Sequence, residues 1–188
     1  MNWVFGRYWA IVFPTYPSPK PARPWSKSPS LPQLRMKVSL RNGSLPRPNS
    51  KLYTEGEILF SDLEKAKTIS ARTEQSGLLP ISKYVAKPTS GNFEANPEAY
   101  TVASTTISVD VDKTKLFSFD YSDKIILYLN GAPIFYGNNA FRSKNNQFQG
   151  HLGLGANKIQ LHLEKGSNTL HCVVIDKANG WGLIGKLE

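Results

Sequence analysis

Four side chains in the C-terminal half have the chemistry for proton transfer, nucleophilic attack or metal ligation: His151, His162, His171 and Cys172. His171 and Cys172 are neighbours in a β-rich run, so they point to opposite faces of a strand and cannot form a nucleophile–base pair. If 164–169 is a hairpin turn, Ile159 faces Val174, Leu161 faces Cys172 and Leu163 faces Leu170. His162 then lies across from His171 on the other face, where two imidazoles and a third ligand could hold a metal. Two residues on a solvated face account for the same pattern more simply. Asp110-Val111-Asp112 puts two carboxylates on one side of a strand end, where a structural calcium ion is the cofactor to consider. A glycosidase needs two carboxylates held across a sugar. Glu94, Glu98, Asp120 and Asp123 are present, but their spacing marks no such pair. No catalytic residue and no metal ligand is assigned.

Binding chemistry is denser in 137–149, GNNAFRSKNNQFQ. Amides both donate to and accept from hydroxyls, a guanidinium adds fixed donors, and an aromatic ring offers an apolar face. A ligand-binding set of Asn138, Asn139, Asn145 and Arg142 is therefore expected, with Tyr136, Phe141 or Trp181 as stacking face. The competing readings are that the asparagines only serve turns and that Trp181 packs in a core. A connection of this length between strands is the usual place for a site, because strand residues are committed to packing.

The elements that must position these groups follow from the patterning. The 188 residues carry 23 Lys and Arg, 14 Asp and Glu and a net charge of +9. The excess is local, since residues 1–50 hold Arg7, Lys20, Arg23, Lys27, Arg35, Lys37, Arg41 and Arg47 and no acid. That lead is rich in proline and serine and has no sustained hydrophobic period, so 1–50 is expected to be an irregular basic extension without a core of its own. A disordered or over-long start, a targeting segment and an ordered arm are the readings open for it. No convincing signal peptide is present, because Arg7 interrupts the apolar start and no small-residue cleavage site follows, and localisation stays open. The longest apolar run, 9–13, falls far short of the roughly 20 residues of a membrane span. Nucleic acid is disfavoured as a partner, since the basic residues stand singly among prolines with no recognition motif behind them. One cysteine, Cys172, excludes an intramolecular disulfide framework and a multi-cysteine metal site.

From about Lys51 the period is two, with 158–164 (KIQLHLE) alternating without an error. Further strands are expected over 100–110, 116–121, 124–130 and 169–176, with shorter ones over 53–60, 68–73, 133–136 and 181–187, and one helical turn over 61–67. Asn130-Gly131 between β runs predicts a type I′ hairpin, placing Leu127 opposite Ile134 and Tyr128 opposite Pro133. Pro133 then marks an edge strand. The 164–169 turn also suits an arch from one sheet to another. Short strands broken by Gly, Asn and Pro make residues 51–188 an all-β antiparallel β-sandwich of the jelly-roll type.

The order Tyr121-Ser122-Asp123, Leu129-Asn130-Gly131, Asn138-Asn139-x-Phe141-Arg142-Ser143, Phe148-x-Gly150-x-x-Gly153, Leu161-x-Leu163-x-x-Gly166-x-Asn168-x-Leu170 and Gly180-Trp181-Gly182 resembles the galactose-binding-domain-like β-sandwiches. Within them it is most similar to modules associated with bacterial carbohydrate-active proteins. Ser76-Gly77-Leu78 and Tyr84 look like an upstream continuation. The resemblance implies a non-catalytic carbohydrate-recognition or accessory module with a glycan partner. The alternatives are a structural sandwich that engages a partner protein and no small ligand, and a carbohydrate-active hydrolase; fold alone decides none of these.

Overall fold

Alternating Val, Ile, Leu and aromatic residues with polar ones gives each strand an inner and an outer face, and two such sheets bury their inner faces together. The computed structural model describes residues 35–40, 51, 52, 58, 60, 63, 67–87, 95–178 and 180–188. The strands are β1 (Arg35–Leu40), β2 (Lys51–Leu52), β3 (Lys67–Arg72), β4 (Leu78–Pro80), β5 (Ala99–Val109), β6 (Lys113–Ser122), β7 (Lys124–Leu129), β8 (Ala132–Asn138), β9 (Asn157–Leu163), β10 (Gly166–Asp176) and β11 (Gly182–Leu187). They form an all-β sandwich. A seven-stranded sheet runs β3-β1-β5-β10-β7-β8 with β2 also on β5, and a four-stranded sheet runs β4-β11-β6-β9. Every strand pairing among the described residues is antiparallel.

Phe117, Phe119 and Tyr121 of β6, Leu161 and Leu163 of β9 and Leu183 of β11 meet Ile125, Leu127 and Leu129 of β7 and Leu170, Cys172 and Val174 of β10 in the core between the sheets. Phe119 and Phe135 meet edge to face at 5.1 Å between centroids. The large sheet is also covered outside: Tyr100, Val102, Val173 and Ile175 pack with Leu63, Phe60 and Ile58. Uninterrupted apolar runs such as Val173-Val174-Ile175 thus reflect burial on both faces.

Two expectations are revised. Arg35–Leu40, assigned by composition to the extension, pairs along its length with β3 and touches β5. Its MKVSL core alternates with period two, a signal masked by the prolines and arginines around it. The expected strand at 53–60 and helical turn at 61–67 lie mostly outside the described residues. Asn130 and Gly131 have φ of 50° and 87°, as a type I′ turn requires. Tyr128 faces Pro133 in the expected register, but an irregularity between Leu127 and Tyr128 sets Leu127 against Phe135 rather than Ile134. That slip of one residue turns Phe135 into the core and leaves Ile134 outside.

The segment joining β9 to β10 is the arch. β9 pairs with β6 in the small sheet, while β10 pairs with β5 and β7 in the large one. His162 and His171 therefore belong to different sheets and do not pair. His162 Nδ1 lies 2.9 Å from Thr114 Oγ1, and His171 stacks on Phe60 at 5.4 Å. A hairpin and an arch predict the same alternation here, since Leu161 and Cys172 face one core from its two sides. Asn168, fully buried, fixes the arch: its Oδ1 accepts from the Glu164 N–H at 3.0 Å and its Nδ2 donates to the Glu164 carbonyl at 2.7 Å.

Candidate functional site

The 139–156 connection is a flap laid on the outer face of the small sheet. Its peg is Asp120, an outward position of β6 between the core residues Phe119 and Tyr121, yet only 2% exposed because the flap covers it. One carboxylate oxygen accepts from Asn139 Nδ2 at 2.5 Å, from the Tyr121 N–H at 3.0 Å and from Asn157 Nδ2 at 3.3 Å. The other accepts from the Gly153 N–H at 2.8 Å. Both ends of the flap are thus tied to one side chain. The Asn139 N–H adds a 2.6 Å bond to the Asp123 carbonyl.

Between flap and sheet is a cleft of about 670 Å³. Its floor is one rung of the sheet: Gly182 lies directly between Pro80 of β4 and Ser122 of β6. Leu78 extends the floor, and Phe141, Gln149, Gly150, His151 and Leu152 form the flap wall. Ser82, Asp123, Gly180 and Trp181 complete the lining. The Ser122–Asp123 peptide is cis. Ser122 Oγ donates to the Gly180 carbonyl at 2.6 Å, and Asp123 Oδ2 accepts from the Lys177 N–H at 3.0 Å. The Asp123 bond holds the start of the β10–β11 connection and the Ser122 bond its end. Behind them Asp176 is fully buried and paired with Lys87. Burial pushes the Asp176 carboxyl up to about 7, with the nearby Asp123 charge adding to the effect and the Lys87 and Ser122 hydrogen bonds opposing it.

Of the expected binding residues, Phe141 and Trp181 line this cleft. Phe141 is exposed, with the Arg142 guanidinium 4.8 Å from its ring centre. Trp181 is 2% exposed and packed in the core, so its ring is a wall support and offers no open stacking face. Asn139 is corrected as well: its amide is buried on Asp120 and braces the flap. Asn138 Oδ1 and Asn145 Oδ1 accept from backbone N–H groups two residues on, those of Ala140 and Gln147, as turn asparagines do. Tyr136 is exposed on the edge strand β8, in register with Ile126 of the large sheet's outer layer and outside the cleft lining. Gln149, His151, Ser82 and Asp123 line the cleft but stood outside the expected binding set. Their common signal would have been the pairing of β4, β11 and β6, which no local motif encodes.

Asp110 forms an ion pair with Lys113 at 3.0 Å, and Asp112 accepts from the Lys165 N–H at 2.7 Å. Among the described residues no group of three or more His, Cys, Asp or Glu side chains converges as a metal site. No described helix is long and apolar enough to cross a membrane. Cys172 is fully buried, which pushes its thiol up to about 12.

No family model matches the chain, and no curated protein matches it. Among solved structures it is similar to a β-glucosidase from Kluyveromyces marxianus in complex with glucose, at 12% identity and TM-score 0.44, over 81% of this chain and 15% of that one. A family 35 carbohydrate-binding module from Paenibacillus barcinonensis aligns at 13% identity and TM-score 0.32, over 58% of this chain and 88% of that one. The PA14 domain of the MpAFP antifreeze protein aligns at 14% identity and TM-score 0.37, over 89% and 87% of the two chains. The architecture above rests on the chain's own strand pairing.

Proposed function

We propose that the cleft between the flap and the small sheet binds a carbohydrate without transforming it. The observation that carries this reading is the composition of one 670 Å³ space: apolar Leu78, Pro80, Leu152 and Phe141 beside polar Ser82, Asp123, Gln149 and His151. A sugar ring has an apolar C–H surface and a rim of hydroxyls, and it needs that combination of flat apolar contact and groups that accept and donate. Asp123 is the one carboxylate among the described lining residues, whereas glycoside hydrolysis generally uses two. Phe141 supplies stacking with Arg142 fixing its ring, and Gln149, His151 and Asp123 meet the hydroxyls. On this reading the chain is a galactose-binding-like, jelly-roll module, which the motif order from Tyr121 to Gly182 supports.

The test is a glycan array probed with the full chain, followed by calorimetry and a turnover assay on each hit. Phe141→Ala should weaken binding by about 1–3 kcal/mol and Gln149→Ala by about 1 kcal/mol, both with unchanged melting. An array without hits overturns the proposal, and turnover of a hit overturns its non-catalytic part. A second reading, a sandwich that engages a partner protein, is favoured by one feature: edge strand β8 exposes Ile134 and Tyr136, at 37% and 54%. Arrays without hits, combined with loss of a pulled-down partner on Tyr136→Lys, would establish it instead.

A further inference from the structure

We infer that the ligand of the cleft is an acidic glycan, whose carboxylate or sulfate groups meet Arg142 and Lys144 on the rim of the flap. This rests on the reading of the cleft as a sugar site and names the class of sugar. Between Asp123 and Glu164 the sequence holds no Asp or Glu, and the flap within that span carries Arg142, Lys144 and His151. Residues 141–147 are all exposed. The Arg142 guanidinium lies 4.8 Å from the centre of the Phe141 ring, which lines the cleft, and Lys144 Nζ lies 4.6 Å from the centre of the Phe148 ring, next to the lining residue Gln149. Neither cation belongs to an ion pair among the described residues, although Glu98, Asp110, Asp176 and Glu188 each hold a lysine. Two positive charges thus rest on aromatic faces beside the cleft, with no protein acid to neutralise them.

The fold does not ask for arginine at 142. Its φ is 60°, a left-handed backbone that glycine or asparagine adopts at lower cost. The turn is closed by main-chain bonds, from the Arg142 N–H to the Phe148 carbonyl and from the Ser143 N–H to the Ala140 carbonyl, each at 2.9 Å. A side chain kept at a strained position, exposed and without an acid partner, is placed for something outside the protein. A guanidinium laid on a ring keeps its in-plane donors available and can grip a carboxylate or sulfate with two of them, whereas an ammonium adds a point charge. Asp123, the carboxylate of the lining, has both oxygens engaged, Oδ2 by the Lys177 N–H at 3.0 Å and Oδ1 by Ser122 Oγ at 3.4 Å. The ligand's acidic groups therefore face the rim of the flap.

The experiment probes the full chain with an array of neutral, uronate-containing and sulfated glycans, and compares each acidic hit with its carboxyl-reduced or desulfated form. Affinity and melting are then measured for Arg142→Gly, Lys144→Ala and the charge-matched control Lys165→Ala. Lys165 sits on the arch, at the other end of β10 from Asp176 and about 33 Å from it along the strand, far beyond the roughly 8 Å over which exposed charges act at physiological salt. Arg142→Gly should bind acidic hits about ten- to a hundredfold more weakly, while melting holds or rises because glycine suits the φ of 60°. Lys144→Ala should lose about two- to fivefold, and Lys165→Ala should stay within about twofold. Loss on carboxyl reduction assigns the anion as a uronate, and loss on desulfation as a sulfate ester. The Lys144→Ala and charge-stripped arms decide the case even where Arg142→Gly folds poorly. Retention of neutral glycans only, full affinity for a charge-stripped hit or in folded Arg142→Gly, or equal losses in the rim variants and Lys165→Ala, overturns the acidic ligand and leaves the sugar site standing. An unsubstituted chain that retains no glycan overturns both.

Discussion

The outer faces of the two sheets are made by the same alternation and put to opposite uses. On the large sheet, β5 and β10 carry Tyr100, Val102, Val173 and Ile175 outward, and Phe60 and Leu63 close over them. On the small sheet the outward positions include Pro80, Gly182, Ser122 and Asp120, and the covering segment is anchored by a carboxylate and leaves a cleft beneath it. Apolar covers collapse until no space is left, since packing density rewards every contact. A cover fastened by a few directional hydrogen bonds can stand off its sheet and keep a space open.

The sharpest way to break that contrast is Asp120→Ala. It leaves the buried Asn139 Nδ2 without its acceptor, at roughly 1–3 kcal/mol, and unties the exposed Gly153 at the other end of the flap. The chain should melt well below the unsubstituted protein, and amide exchange should rise first across 139–156. Uniform exchange with unchanged melting would show that the flap is held some other way. Next in size, Ile175→Ala in the buried outer layer should cost about 2–5 kcal/mol. The half-buried Ile184, on the small sheet's outer face, should cost about 1 kcal/mol on the same change. Equal losses in denaturant titrations would mean that the two faces are packed alike.

Asp176, where β10 leaves the large sheet for the cleft, gives a smaller and pH-dependent effect. Its folded pKa is raised to about 7 from an ordinary 3.8, so between those values the native state binds more proton than the unfolded one. Stability from this group therefore falls as pH rises from about 4 to about 7. Asp176→Asn should flatten that slope in melting scans, and an unaltered slope would assign it to other groups. The smallest expected signal is at Cys172. Buried and raised to about 12, its thiol should stay silent to a thiol reagent in the native protein at pH 8 and react fully in denaturant.

The sequence announced what is local. Asn130-Gly131 announces its turn because positive φ at two adjacent positions is a property of those residues, and the 158–164 alternation announces a strand for the same kind of reason. What depends on partners far along the chain stays hidden. The arch at 164–168 and a hairpin share one hydrophobic pattern, and only the choice of neighbours, β6 for β9 and β5 with β7 for β10, separates them. In the site, the position of Phe141 in a long connection was readable. Leu78, Pro80 and Ser82 were not, since they reach the cleft through the β4–β11 pairing. Asp120 was visible only as an isolated carboxylate, with nothing in its flanks to show that Asn139 and Gly153 would converge on it.

Because that convergence closes the flap at its base, the middle of the segment is thermodynamically cheap to rewrite. Once Asn139 and Gly153 are fastened to Asp120, the entropic cost of extra residues between them grows only with the logarithm of their number. Insertions, deletions or grafted sequences around 142–148 leave the two anchors and the strands beneath them in place. The same sandwich could therefore carry a range of rims over one glycine-floored cleft, as an antibody framework carries exchangeable loops.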